Sequence, residues 1–273
     1  MNILETQALQ GFIRLCNDGW LQGWHERNGG NLTYRMQTQE VALCKPFFNI
    51  PREWTDIGVN ASILAGEHFI TTGSGKFFRN VKSDPLHNIG IVEINSTGDA
   101  WRIVWGLENG AKPTSEFPTH FMNHAVRMQV SHGTNRVIYH AHTPYAIAMS
   151  FTLAPTARAV TRALWKSATE CPVVFPDGVG YVPWMVPGGS DIALATSKVM
   201  QEHSAALWAH HGTFCAGDDF DTTFGLMHTI EKAAKIHCIV AANGGAKQSI
   251  SDGNLKEVAK AFHVTLREEF LDD

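Results

Sequence analysis

The run Arg136-Val137-Ile138-Tyr139-His140-Ala141-His142, closed by Thr143-Pro144, constrains this chain more than any other segment. Its β-branched and aromatic residues predict a strand, and side chains two apart on a strand project from the same face. His140 and His142 therefore share a face, and two imidazoles so placed can reach a common ion at the ~2.0–2.1 Å of a zinc–nitrogen bond. A second predicted strand, Ala206-Leu207-Trp208-Ala209, ends at His210-His211-Gly212, where either histidine offers a third ligand. Three neutral imidazoles with one open position form the arrangement of a catalytic zinc site. A competing pair, His120 and His124, has the i, i+4 spacing of a helix. The Glu that follows the first His in His-Glu-x-x-His is absent there, so these two read as packing histidines.

Around this run the pattern alternates between the helical and strand periods. Leu9, Phe12, Ile13, Cys16 and Trp20 fall at helical spacing and predict a helix over 5–22. Further helices are predicted over 144–152, 157–167, 189–204, 219–240 and 252–262. Strands are predicted at 32–36, 68–72, 89–94, 100–105 and 172–176, with a turn at Ser96-Thr97-Gly98-Asp99 between two of them. Thr114 and Ser115 are expected to cap a helix that carries Phe117, Phe121, Ala125 and Met128. Segment 40–66, with Pro46, Pro51, Gly58 and Gly66, reads as an irregular insertion. Hairpin-like connections favour a mixed, largely antiparallel sheet covered by helices over a doubly wound one. One domain over 1–273 is expected.

Composition narrows the function class. Hydrophobic residues at 44% and charged residues at 18% describe a globular chain rather than a disordered one. A net charge of -4 argues against a general nucleic-acid surface, yet leaves room for small anions held by local donors. The five cysteines are widely spaced and never form Cys-x-x-Cys, which suits reduced buried thiols. No basic n-region precedes an apolar run, and no apolar stretch reaches the ~20 residues of a membrane helix. A cytoplasmic location is the expectation.

Three segments offer backbone N–H groups with short hydroxyl or amide side chains: Asn28-Gly29-Gly30-Asn31, Gly73-Ser74-Gly75-Lys76 and Thr114-Ser115. Glycines let backbone approach an anion closely, and a helix N-terminus adds its dipole. None of them matches the nucleotide P-loop or a dinucleotide fingerprint.

Taken in order, Arg27-Asn28-Gly29-Gly30-Asn31-Leu32-Thr33, Thr72-Gly73-Ser74-Gly75-Lys76, Thr114-Ser115-Glu116, His140-Ala141-His142 and His211-Gly212 resemble the class II aldolase/adducin family. The resemblance implies a three-layer α/β/α domain around a central, mostly antiparallel mixed sheet. It also implies one zinc ion per subunit and a cyclic homotetramer with sites near subunit interfaces. The third ligand then falls on His211, directly before the glycine, and His210 becomes a supporting residue. The implied reaction is a reversible retro-aldol cleavage of a ketose 1-phosphate to dihydroxyacetone phosphate and an aldehyde. Glu116 would be its acid/base, and Asn28, Asn31, Ser74, Gly75, Thr114 and Ser115 would cradle the phosphate. Glu170, in Thr169-Glu170-Cys171, would reach a neighbouring subunit's site and handle the aldehyde-side proton. The direction of Lys76 is left open. The 40–66 insertion, with Phe175-Pro176-Asp177-Gly178-Val179-Gly180 and Pro183-Trp184-Met185-Val186-Pro187-Gly188, narrows the resemblance within the family, and what it then implies as substrate is L-rhamnulose 1-phosphate. The alternatives within the family are L-fuculose 1-phosphate cleavage and pentulose-phosphate 4-epimerisation. An adducin-type binding module would lack the intact ligand set that this sequence carries.

Overall fold

A computed structural model describes residues 2–48, 51–59 and 61–272; Asn49, Ile50 and Asn60 of the 40–66 segment, with Met1 and Asp273, lie outside the described residues. The strands are β1 (Asn31–Arg35), β2 (Thr55–Asp56), β3 (His68–Thr72), β4 (Ile89–Ile94), β5 (Ala100–Gly106), β6 (Val137–Ala141), β7 (Gly180–Val182), β8 (Ala205–Trp208) and β9 (Gly212–Gly217). They form one sheet in the order β2-β5-β4-β3-β1-β6-β9-β8-β7. Every pairing is antiparallel except that of β7 with β8.

The helices are α1 (Gln7–Leu21), α2 (Thr38–Cys44), α3 (Phe78–Val81), α4 (Pro85–Asn88), α5 (Phe117–Val130), α6 (Pro144–Thr152), α7 (Ala157–Trp165), α8 (Cys171–Val174), α9 (Ser190–Val199), α10 (Phe220–Ala242) and α11 (Asp252–Ala261). None among the described residues is long and apolar enough to cross a membrane. They cover both faces of the sheet. On one side Leu32, Tyr34, Val137, Tyr139, Leu207 and Cys215 pack with residues of α1, α6, α7 and α10. On the other, Phe69 and Val92 meet Phe117 and Phe121 of α5, while Ile138, Phe214 and Trp208 meet Ile192 of α9. Alternation along β6 thus sends Val137, Tyr139 and Ala141 one way and Ile138, with His140, the other.

Antiparallel pairing decides where the chemistry collects. The start of β1 lies beside the ends of β3 and β6, because Thr33 pairs with Thr71 and Asn31 with His140. The end of β6 lies beside the start of β9, where Ala141 pairs with Thr213. One end of the sheet therefore gathers the loop before β1, the loop after β3, His142 and the turn between β8 and β9.

Several local expectations give way to packing. Residues 172–176 are not a strand: Cys171–Val174 is a short helix with a proline in its first turn, where a missing N–H costs nothing. The strand of that region is β7, which no periodicity marks over three residues. Strand β9 was likewise not anticipated, since Gly-Thr-Phe-Cys-Ala-Gly shows no polar alternation when both faces are buried. The helix expected over 189–204 stops at Val199. Within the expected irregular insertion, α2 forms because the Glu40 carboxylate accepts the Gln37 N–H at 2.7 Å and closes its first turn. The N-cap of α5 is Glu116 rather than Thr114 or Ser115. The turn at 96–99 stands as expected, with Asn95 Oδ1 accepting from Gly98, Asp99 and Ala100 N–H.

Burial leaves several histidines neutral. It lowers His25 and His120 from the ordinary 6.5 to about 3 and holds His124 well below 6.5. An unfolded chain binds protons at the ordinary value, so it takes up more than the folded chain as pH falls below 6.5. Stability is then full above that value and declines toward about 3, by about 1.4 kcal/mol per pH unit for each such histidine. The urea midpoint is expected to fall between pH 7 and pH 5; a flat midpoint there would contradict neutral burial.

Candidate active site

His140 stands on β6, His142 follows one residue past its end, and His211 closes the turn into β9. Their ligand-capable nitrogens all lie within 4.8 Å of one another, and among the described residues these three form the one His/Cys/Asp/Glu group so gathered. Gly212 makes that approach possible. A Cβ there would lie 2.4 Å from the Ala141 carbonyl oxygen and 3.1 Å from His140 Cε1, so any side chain would push β9 off β6. His210 turns elsewhere: its N–H donates to Ser150 Oγ at 2.9 Å, and its ring lies 4.1 Å from that of Phe151.

Neighbours orient the imidazoles. His140 Nδ1 donates to the Thr213 carbonyl at 3.1 Å, which leaves Nε2 as the lone-pair nitrogen. That Nε2 is buried and has no hydrogen-bond partner. His142 Nδ1 donates to Glu26 Oε1 at 2.6 Å, freeing its own Nε2 in the same way. Burial, then the neighbouring His211 and His142, hold His140 well below its ordinary value. Burial and His142 lower His211 to about 4. Neutral imidazoles are the ligand form, and an orphaned buried nitrogen within a cluster of three imidazoles fits a divalent metal ion of the zinc type.

Glu116 is 9% exposed. Burial raises its carboxyl above the ordinary value, opposed by the Asn31 hydrogen bond and by His142. Asn31 Nδ2 donates to Glu116 Oε2 at 2.8 Å, and Asn31 Oδ1 meets His120 Nε2. Beyond it, Thr33 Oγ1 lies 2.7 Å from His120 Nδ1 and 2.8 Å from His124 Nε2. The pair expected to be packing histidines is buried and hydrogen-bonded, as such a reading requires, but it is also linked to Glu116.

The three glycine or hydroxyl segments meet at the same end of the sheet. The Gly73–Lys76 loop lies against 112–114: Ser74 N–H donates to Lys112 O, Gly73 bridges to Pro113, and Thr114 N–H donates to Thr72 O. Thr114 Oγ1 accepts the Glu116 N–H at 3.3 Å. His25 holds the first loop, donating from Nδ1 to Gly29 O at 2.9 Å and accepting from Tyr139 OH at 2.7 Å. Gly30, at φ +74, would place a Cβ 2.6 Å from His140 O. Asn28, Ser74, Gly75 and Ser115 are exposed, Thr114 is buried, and Lys76 is half-buried. Asn31 differs from the others expected at the phosphate, because both ends of its buried amide are engaged. Glu170 is exposed at the N-cap of α8, with no hydrogen bond to the triad among the described residues.

Sequence reasoning missed Glu26, His25 and Thr213. Glu26 and Thr213 act on partners remote in sequence, and His25 ties nearby Gly29 to Tyr139 across 114 positions; no spacing rule announces such contacts. Glu26→Gln is expected to weaken divalent-metal affinity about tenfold by loosening His142. Chelator competition measures it, and an unchanged affinity would remove Glu26 from the site.

The Class II Aldolase and Adducin N-terminal domain family matches residues 10–238. A rhamnulose-1-phosphate aldolase from Escherichia coli O139:H28 is 46% identical over 264 residues, covering 97% of this chain and 96% of the relative. A protein of the same name from Salmonella heidelberg gives the same identity and coverage. Among solved structures, a sugar-phosphate aldolase from Thermotoga maritima superposes with a TM-score of 0.73 at 25% identity, over 86% of this chain and 95% of that one. An L-fuculose 1-phosphate aldolase shares the fold, with a TM-score of 0.60 at 20% identity over 96% of this chain and 100% of that one. The chain belongs to the class II aldolase and adducin N-terminal domain family.

Proposed function

We propose that this chain is a metal-dependent aldehyde-lyase that cleaves L-rhamnulose 1-phosphate reversibly to dihydroxyacetone phosphate and L-lactaldehyde. The observation that carries the reaction class is the convergence of three imidazoles at the sheet end that also holds a buried carboxyl and three anion-suited loops. The substrate rests on the relatives named rhamnulose-1-phosphate aldolase, which this chain matches over nearly its whole length. His140, His142 and His211 would hold the ion, and three imidazoles with an open position are a common ligand set of catalytic zinc. When bound, such an ion supplies Lewis acidity toward negative charge on the ketose oxygens.

The chain's own residues supply the rest. Asn28, Ser74, Gly75, Thr114 and Ser115 receive the phosphate through hydroxyls, an amide and backbone N–H groups, with Asn31 at the junction between that cradle and Glu116. Cleavage breaks the C3–C4 bond as the C4 hydroxyl loses its proton, leaving the electron pair on the three-carbon phosphate fragment. Glu116 returns a proton to C3, and burial raises its carboxyl in the direction that favours carrying one. The reverse direction uses the same group as base. Glu170, exposed on the isolated chain, would take the C4 hydroxyl proton in a neighbouring subunit's site within a cytoplasmic homotetramer.

Chelation is expected to abolish cleavage and added zinc to restore it; full turnover in a verified metal-free preparation would refute the metal requirement. Glu116→Gln should retain the metal while turnover falls about 10²- to 10⁴-fold, the range of general acid–base catalysis. Near-normal turnover would move the acid/base elsewhere. An assay across phosphorylated ketoses should favour L-rhamnulose 1-phosphate, and preference for L-fuculose 1-phosphate or for pentulose-phosphate epimerisation would overturn the substrate assignment.

A further inference from the structure

We propose that His120, supported by Thr33 and His124, is a positioning residue that fixes the direction of the Asn31 amide and through it the Glu116 carboxylate. The inference deepens the reading above and rests on Glu116 being the acid/base.

Donor bookkeeping supplies the direction. Burial keeps both imidazoles neutral at ordinary pH, so each ring has one donor nitrogen and one acceptor. The Asn31 amide nitrogen is spent on Glu116 Oε2, so its carbonyl oxygen is what faces His120 Nε2. That oxygen has no hydrogen to give, and Nε2 must donate. His120 Nδ1 is then the acceptor, and the atom beside it with a proton is the Thr33 hydroxyl at 2.7 Å. Having donated there, Thr33 Oγ1 accepts from His124 Nε2 at 2.8 Å. The bonds all run one way, from His124 through Thr33, His120 and Asn31 to Glu116.

Two periodicities build this chain. Asn31 and Thr33 are two apart on β1 and share a face, while His120 and His124 are one turn apart on α5 and share another. Thr33 therefore bridges both rings. All five residues are 9% exposed or less, and Phe214 and Phe69 flank the two imidazoles. Reversing the chain would need an amide flip and a tautomer change in both rings at once. Without the His120 Nε2–H, the Asn31 amide is free to turn its oxygen toward the carboxylate, which would repel it.

The test compares His120→Met, which has no donor, with His120→Gln, whose amide nitrogen stands where Nε2 stood. In the metal-loaded enzyme, kcat is expected to fall about tenfold or more in His120→Met and to recover to within about threefold of wild type in His120→Gln, the scale of one hydrogen bond to a charged group. KM for the ketose phosphate and bound metal should stay unchanged in both. Thr33→Val, which removes only the hydroxyl, should show a smaller kcat loss of the same kind. Equal kcat in the two His120 variants, or a loss confined to KM, overturns the proposal. Neutron diffraction on the wild-type enzyme checks the directions without substitution: hydrogen on His120 Nε2 and none on Nδ1 supports them, and the reverse refutes them. Glu116→Gln separates the two claims. If it is inactive while His120→Met equals His120→Gln, the relay alone fails; if it remains active, the assignment of Glu116 fails and the relay with it.

Discussion

The close pairing of β6 with β9 is the constraint from which the site follows. Ala141 sits opposite Thr213, and the strands approach so nearly at that point that Gly212 has no room for a Cβ. The same contact brings His211 from the β8–β9 turn to His140 and supplies the Thr213 carbonyl that sets the His140 tautomer. A ligand group that depends on one backbone register is rigid, because slipping that register by one residue would reverse every side chain of the strand.

Burial then does electrostatic work that charge pairs do elsewhere. It keeps His140 and His211 in their ligand form, and it raises the Glu116 carboxyl above its ordinary value. An acid/base buried this far needs its remaining lone pairs satisfied. Asn31 does so on one side, and its own orientation is settled by His120. The phosphate loops and the acid/base are thereby coupled: Asn31 stands at the start of β1, directly after Gly30, whose positive φ lets the backbone pass close to His140 O. His25 braces that loop from beneath by its contacts with Gly29 and Tyr139.

Where a segment's own periodicity was strong, its element could be read from residues alone. The strands expected at 68–72, 89–94 and 100–105 and the helices expected over 5–22, 144–152, 157–167, 219–240 and 252–262 belong to this group, each within a few residues of the observed element. The reading failed where tertiary context outweighed local preference. Val173 and Val174 favour a strand, yet Pro172 opens a helical turn there. Strand β9 is buried on both faces, so it lacks the alternation that would announce it, and α2 depends on a capping carboxylate within a stretch otherwise rich in turn residues.

The candidate site divides along the same line. Spacing alone placed His140 and His142 side by side, and the ordered motifs pointed to His211, to Glu116 and to the loops at Asn28, Ser74 and Thr114. The first is a property of one short segment, in which residue type and separation already restrict the geometry; the others came from the family resemblance that the ordered motifs carry. What only the tertiary structure decided is how the segments meet: that Glu26 orients His142 across 116 positions, that His210 turns to Ser150, and that Asn31 donates its amide N–H to Glu116 and accepts from His120. Hydrogen bonds between strands and helices remote in sequence depend on register and crossing, and no local pattern encodes those.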